Sequence, residues 1–170
     1  MQGKERAMNK VKKILAPTDL SELSQAGVRY ALEEASSSGS KVIVYNVVGY
    51  QEAVPYYEPE VAPLPYQVPT AEEAVEEHRK HLAKFLQENF ADLIAKTTVR
   101  QEVAIGTPFR NIVEKAAAEK VDMIIMSTHG RTGFLHTLIG SVAEKVVRLA
   151  ACPVLTVRPK REALPHQAAA

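Results

Sequence analysis

The sequence predicts an α/β domain: one five-stranded parallel sheet with helices packed on both faces. Three observations carry that reading. Five short apolar or β-branched runs alternate with four segments of helical periodicity. The junctions are punctuated by Gly, Pro, Ser and Asp, and 170 residues suit one domain with a real core but not two ordinary ones.

Residues 1–10 are polar and read as a flexible extension, with the domain proper over 11–158 and a flexible tail over 159–170. Val11 to Ala16 is a short buried strand ended by Pro17-Thr18-Asp19. Ser21 caps the next helix, whose apolar positions Leu23, Ala26, Tyr30, Ala31 and Ala35 fall near helical spacing and which leaves through Ser36-Ser37-Ser38-Gly39. Lys41 to Val48 has the β-branched, apolar character of an interior parallel strand. Over 49–69 the pattern breaks: five of the ten prolines lie there with Tyr50, Tyr56, Tyr57 and Tyr66. Proline denies this loop a ladder or helix, which suits either a connector or a lid that uses its tyrosines.

Thr70 and Glu73 form a capping box for a long helix with Val75, His78, Leu82, Phe85, Leu86 and Leu93 on one face. Val99, Val103 and Ile105 alternate with polar residues, as on a strand near a sheet edge. Gly106-Thr107-Pro108 then turns the chain, with Thr107 as cap and Pro108 at the first helical position, and Ile112, Val113, Ala116 and Ala117 form the inner face of that helix. A strand from Val121 to Met126, a glycine turn, a helix from Ser141 to about Ala150 and a last strand from Val154 to Val157 complete the series.

Composition narrows the function. With 21 basic and 20 acidic residues the formal charge is +1, which provides no global field for gripping nucleic acid. Cys152 is the only cysteine, so neither an intrachain disulfide nor a cysteine metal cluster is available. No apolar run approaches the ~20 residues of a membrane span, and the polar, basic start lacks the apolar core of a signal peptide, so a cytoplasmic location is expected.

The chemistry concentrates in Met126-Ser127-Thr128-His129-Gly130-Arg131-Thr132-Gly133, followed by Gly140-Ser141-Val142. This motif spans a strand-to-helix turn, which is a place to hold an anion. Glycines let backbone approach closely, and the first amides of a helix have no internal partner and carry partial positive charge. Ser141 adds a hydroxyl, and Arg131 and His129 add groups that can carry positive charge. Ligand crevices of parallel sheets lie beyond the carboxyl ends of strands where the order reverses, so the loops after the first and fourth strands would share one crevice if those strands were neighbours.

The early strand ending in Pro17-Thr18-Asp19, the Gly106-Thr107-Pro108 turn and the late G-x-x-G-x9-G-[ST] signature together resemble the universal stress protein family, ATP-binding type. The resemblance covers nearly all of Val11 to Arg158. Gly130, nine intervening residues, Gly140 and Ser141 match the signature, while Ser127 stands where the pattern has its first glycine. The resemblance implies a doubly wound sheet of order 3-2-1-4-5 with ATP across the ends of strands one and four. It places Pro17, Thr18 and Asp19 beside adenine and ribose, has Val47 offer backbone groups to adenine and has Met126 line the pocket. Ser127, His129, Gly130, Arg131, Gly140, Ser141 and Val142 would surround the phosphates, with Mg²⁺ or Mn²⁺ screening them beside Asp19.

It further implies a nucleotide-dependent regulatory role in stress response, and a homodimer made through Val154, Leu155, Thr156 and Val157. That segment is uncharged and would be the sheet's terminal strand. Two other roles stand beside this one: a slow metal-dependent ATPase, and a nucleotide-free dimeric interaction module. No water-activating residue stands in a recognised arrangement, so at most weak hydrolysis is expected. Plainer roles compete at single residues. Asp19 can cap the first helix with Ser21. His78-x-x-His81 lacks further metal ligands in sequence and reads as helix surface, as do Glu72, Glu73, Glu76 and Glu77. No nucleophile elbow, Walker motif or dinucleotide fingerprint is present.

Overall fold

The structure, a computed structural model, describes residues 10–53, 69–129 and 139–159. Five strands, β1 (Lys13–Thr18), β2 (Lys41–Val48), β3 (Thr98–Ile105), β4 (Met123–Ser127) and β5 (Val154–Val157), form one parallel sheet in the order β3-β2-β1-β4-β5. The helices are α1 (Gln25–Ser38), the short α2 (Tyr50–Ala53), α3 (Ala71–Ile94), α4 (Pro108–Glu119) and α5 (Ser141–Leu149). The expected class and strand order are therefore present. The expected extension over 1–9, the part of the Pro/Tyr-rich loop over 54–68 and the tail over 160–170 lie outside the described residues.

Strand alternation sorts the core into two layers. Ile14, Ala16, Val42, Val44 and Ile125 face α1 and α3, which contribute Val28, Ala31, Leu32, Leu82, Leu86 and Phe90. Leu15, Ile43, Tyr45, Ile124 and Met126 face α4 and α5, which contribute Ile112, Ala116, Ala143 and Val146. Every strand of the centre is thus apolar on both sides, as burial under helices on both faces demands.

Several local expectations need correction. β1 runs two residues further than expected, taking in Pro17 and Thr18 opposite Tyr45 and Asn46 of β2. A proline in a central strand is tolerated here because its missing donor would serve β4. The Lys13 carbonyl accepts the Asp122 amide from that side, and alternate residues face the same neighbour, so Pro17 faces β4 as well. Pairing of β1 with β4 is confined to Ile14↔Met123 and Leu15↔Ile124. Beyond that point the two strands part, and a crevice opens at the place where strand order reverses.

In α1 the buried positions are Gly27, Val28, Ala31, Leu32 and Ala35, whereas Tyr30 is exposed. Ser21 caps a 3₁₀ turn, Glu22–Ser24, that leads into α1 rather than α1 itself. The loop after β2 begins with a helix, α2, which fits before the first proline, Pro55, and buries Ala53. Thr107 occupies the cap position of α4 without a side-chain hydrogen bond. The capping box of Thr70 and Glu73 is present, and its two backbone and side-chain hydrogen bonds from Thr70 hold the Glu73 carboxyl below its usual range. α3 breaks helical geometry at Phe90 (φ −143°, ψ 23°), which turns that ring into the core.

The two sheet margins differ. β3 carries Arg100 and Glu102, tied into an ion network: Arg100 lies 2.6 Å from Glu102 and 2.5 Å from Glu119, and Lys115 pairs with Glu102. β5 carries no charge, and all four of its residues are half-buried.

Candidate functional site

At the carboxyl ends of β1, β2 and β4 lies a cleft of about 310 Å³. Pro17, Thr18, Asp19, Val47, Met126, Ser127, His129, Gly140, Ser141 and Val142 all line it, so every expected site residue that the structure describes converges there. Gly130 and Arg131 lie outside the described residues.

One end of the cleft is the start of α5. Gly140, not Ser141, is the cap residue, and Ser141 is the first helical residue, so the leading amides of α5 face the cleft end without a side-chain cap. The Gly140 amide donates to the Thr128 carbonyl at 2.7 Å, closing the neck of the intervening loop. A Cβ added at Gly140 would sit 3.0 Å from that same carbonyl oxygen. The Thr128 amide in turn donates to the Val157 carbonyl at the end of β5, and its hydroxyl lies 2.9 Å from Nδ1 of His129.

Ser127, which lines the cleft, also has a structural part. Its hydroxyl oxygen accepts the Gly27 amide at 2.9 Å in a buried bond, satisfying one of the first-turn donors of α1. The side chain at this otherwise glycine position thus joins β4 to α1. It does so where Gly27 already lies so close that a Cβ would come within 2.5 Å of the Ser127 nitrogen.

The opposing lip comes from the turn after β1. Leu20 adopts φ 64°, a left-handed conformation unusual for a bulky residue, and its amide donates to the Thr18 hydroxyl at 3.0 Å. The Thr18 hydroxyl also meets that of Ser24 at 2.8 Å, and its carbonyl accepts the Asn46 side-chain amide at 2.9 Å. Oδ1 of Asp19 accepts both the amide and the hydroxyl of Ser21, at 3.1 and 2.6 Å, so Asp19 orients the residue that caps the 3₁₀ turn.

Between the two lips the floor is apolar: Tyr45, Val47, Pro108, Ile112 and Met126. Tyr45, Pro108 and Ile112, together with Gly49, Glu52, Ser24, Thr128 and Ala143, are lining residues that sequence reasoning did not assign to the site. Tyr45 had a usable signal, since it shares the face of Val47 two positions on. Burial pushes the Tyr45 phenol above its ordinary range, so it stays neutral in the cleft. His78 and His81 meet edge to face with centroids 5.7 Å apart, and no group of three metal-ligating side chains occurs among the described residues. Nor is any described helix long and apolar enough to cross a membrane.

The universal stress protein family model matches residues 10–158. The chain belongs to the universal stress protein family. As a member it is 33% identical over 155 residues to a universal stress protein of Methanocaldococcus jannaschii, covering 91% of this chain and 86% of that one. Two solved universal stress proteins share its fold. One from Arabidopsis thaliana has AMP bound, with 18% identity, coverage of 92% of this chain and 97% of that chain, and a TM-score of 0.56. The other, in complex with cAMP, has 22% identity, coverage of 89% and 99%, and a TM-score of 0.59.

Proposed function

We propose that this universal stress protein binds an adenine nucleotide, ATP with Mg²⁺ or Mn²⁺, and acts as a nucleotide-dependent regulatory module of the cytoplasmic stress response. The observation that carries the reading is the cleft itself: uncapped amides of α5 at one end and an apolar slot beside them at the strand-order reversal. Relatives that hold AMP and cAMP support the choice of adenine. Asp19 is the carboxylate beside which a metal would sit. With no cage of metal-ligating side chains among the described residues, such an ion would be held by one carboxylate together with the phosphates, and would supply charge neutralisation. Nucleotide then acts as a switch to the extent that it binds two loop arrangements unequally.

Calorimetry with ATP and Mg²⁺ should show saturable binding. Gly140→Val should weaken it at least about tenfold, or about 1.4 kcal/mol, because the new side chain presses on the Thr128 carbonyl and forces the loop neck apart. No detectable binding to the folded protein at millimolar ATP would end this reading.

The second part of the proposal is a homodimer through β5. Thr128 bonds the Val157 carbonyl and Ile124 bonds the Pro153 carbonyl, so the backbone of Thr156, one residue out of phase, points away from β4 to the open margin. An uncharged margin with unpaired backbone groups calls for a cover, and two-fold antiparallel pairing closes after two copies. Light scattering should report a dimer, and Thr156→Pro should move it towards monomer while leaving the β4 ladder intact. A monomer for the unmodified chain at micromolar concentration would sink the dimer and leave the nucleotide site standing.

A further inference from the structure

The cleft has chemistry at both ends, and only one end suits phosphate. Its described lining residues include two carboxylates, Asp19 and Glu52, and one imidazole, His129. His129 lies beside the α5 amides. Glu52 follows β2, and β2 and β4 stand two strand spacings, about 10 Å, apart with β1 between them. A ligand filling this shape carries an anion at one end, a flat apolar body, and a hydrogen-bond donor at the other.

The position of Glu52 is built, not incidental. α2 is pinned by the Gly49 carbonyl, which accepts the amides of Glu52 at 3.0 Å and Ala53 at 2.9 Å. Ala53 is buried against Val48 and Ala74. Nδ1 of His78 donates to the Ala74 carbonyl at 2.9 Å, which fixes the ring, and Nε2 lies 3.9 Å from the Glu52 carboxylate. The carboxylate thus has His78 beside it while its side chain, 44% exposed, lines the cleft.

We propose that Glu52 is a side-chain reader of the base beside the Val47 backbone, its carboxylate accepting a hydrogen bond from the exocyclic 6-amino group of the purine. The inference rests on the nucleotide reading and deepens it. An ionised carboxylate only accepts, so it rewards a ring that presents an amino donor over one that lacks it.

The test compares AMP with purine riboside 5′-monophosphate, which differs only in lacking the 6-amino group, by calorimetry on the full chain. The unmodified protein should bind AMP about tenfold more tightly, the low end for a bond to a charged acceptor at a half-exposed position. Glu52→Leu should erase that preference, and Glu52→Gln, which keeps a neutral acceptor oxygen, should retain only part of it. Should the leucine variant fail to fold, the near-isosteric glutamine variant carries the same comparison, and an undiminished preference in it overturns the proposal. Equal affinities for both ligands in the unmodified protein, or an AMP preference unchanged in Glu52→Leu, also overturn it while sparing the nucleotide reading. Binding of neither ligand, with ATP also unbound, refutes the nucleotide reading and this inference together, whereas ATP binding without either monophosphate overturns this inference alone.

Discussion

Phe90→Ala is expected to lower the free energy of unfolding by about 3–5 kcal/mol, a large share of the roughly 5–15 kcal/mol typical of a domain. The ring is fully buried, meets Phe85 edge to face at 5.6 Å and lies 5.1 Å beneath the Arg29 guanidinium. It reaches that place only because α3 abandons helical geometry at this residue. The break is stitched by two bonds: the Asn89 side chain donates to the Phe85 carbonyl at 2.8 Å, and Arg29 donates to the Asn89 carbonyl at 3.1 Å. Alanine would leave a cavity between α1 and α3 and remove the reason for the kink. Urea unfolding followed by circular dichroism measures the loss. A change below about 1 kcal/mol would show that the pocket collapses around the gap, contrary to the packing argued above.

Gly27→Ala should cost about 2 kcal/mol or more, although alanine is the better helix former by about 1 kcal/mol. The new Cβ would lie 2.5 Å from the Ser127 nitrogen and 2.6 Å from the Met126 carbonyl carbon, and neither can swing aside because both are backbone of a central strand. α1 must then retreat from β4, which stretches the Gly27–Ser127 hydrogen bond and disturbs both core layers. Thermal unfolding would report the effect as a lowered Tm. An unchanged or raised Tm would mean that helix propensity outweighs the contact and that α1 is free to slide.

Much of this fold was legible because its signals are local. The alternation of runs, the capping box at Thr70 and Glu73, Pro108 at a helix start and the glycine turn after β4 each follow from a few neighbouring residues. The site residues on β1 and β4 were legible for the same reason. What escaped notice depends on distance along the chain. Tyr45, Pro108 and Ile112 meet at the cleft only because the order β3-β2-β1-β4-β5 gathers them. The bond from Gly27 to Ser127 joins residues 100 apart, so no local pattern around Ser127 distinguishes a helix anchor from a phosphate neighbour. The end of β1 was set too early because proline ordinarily leaves a central strand, and nothing local tells that the β4 side of Pro17 has already been vacated.

The contrast between the two sheet margins has a consequence for assembly size. β3 carries the half-exposed Arg100 beside the more buried Glu102, and a strand approaching from outside would have to desolvate that ion pair, so the margin disfavours additions. β5 presents only Val154, Leu155, Thr156 and Val157. If β5 pairs as proposed, each copy has a combining valence of one for strand addition: head-to-tail growth, β5 of one copy onto β3 of the next, is discouraged at its receiving end. A unit of valence one makes pairs and terminates, whatever its concentration, whereas a unit of valence two polymerises. On that proposal the charges of β3, at the margin opposite β5, act as a chain terminator written into the sheet.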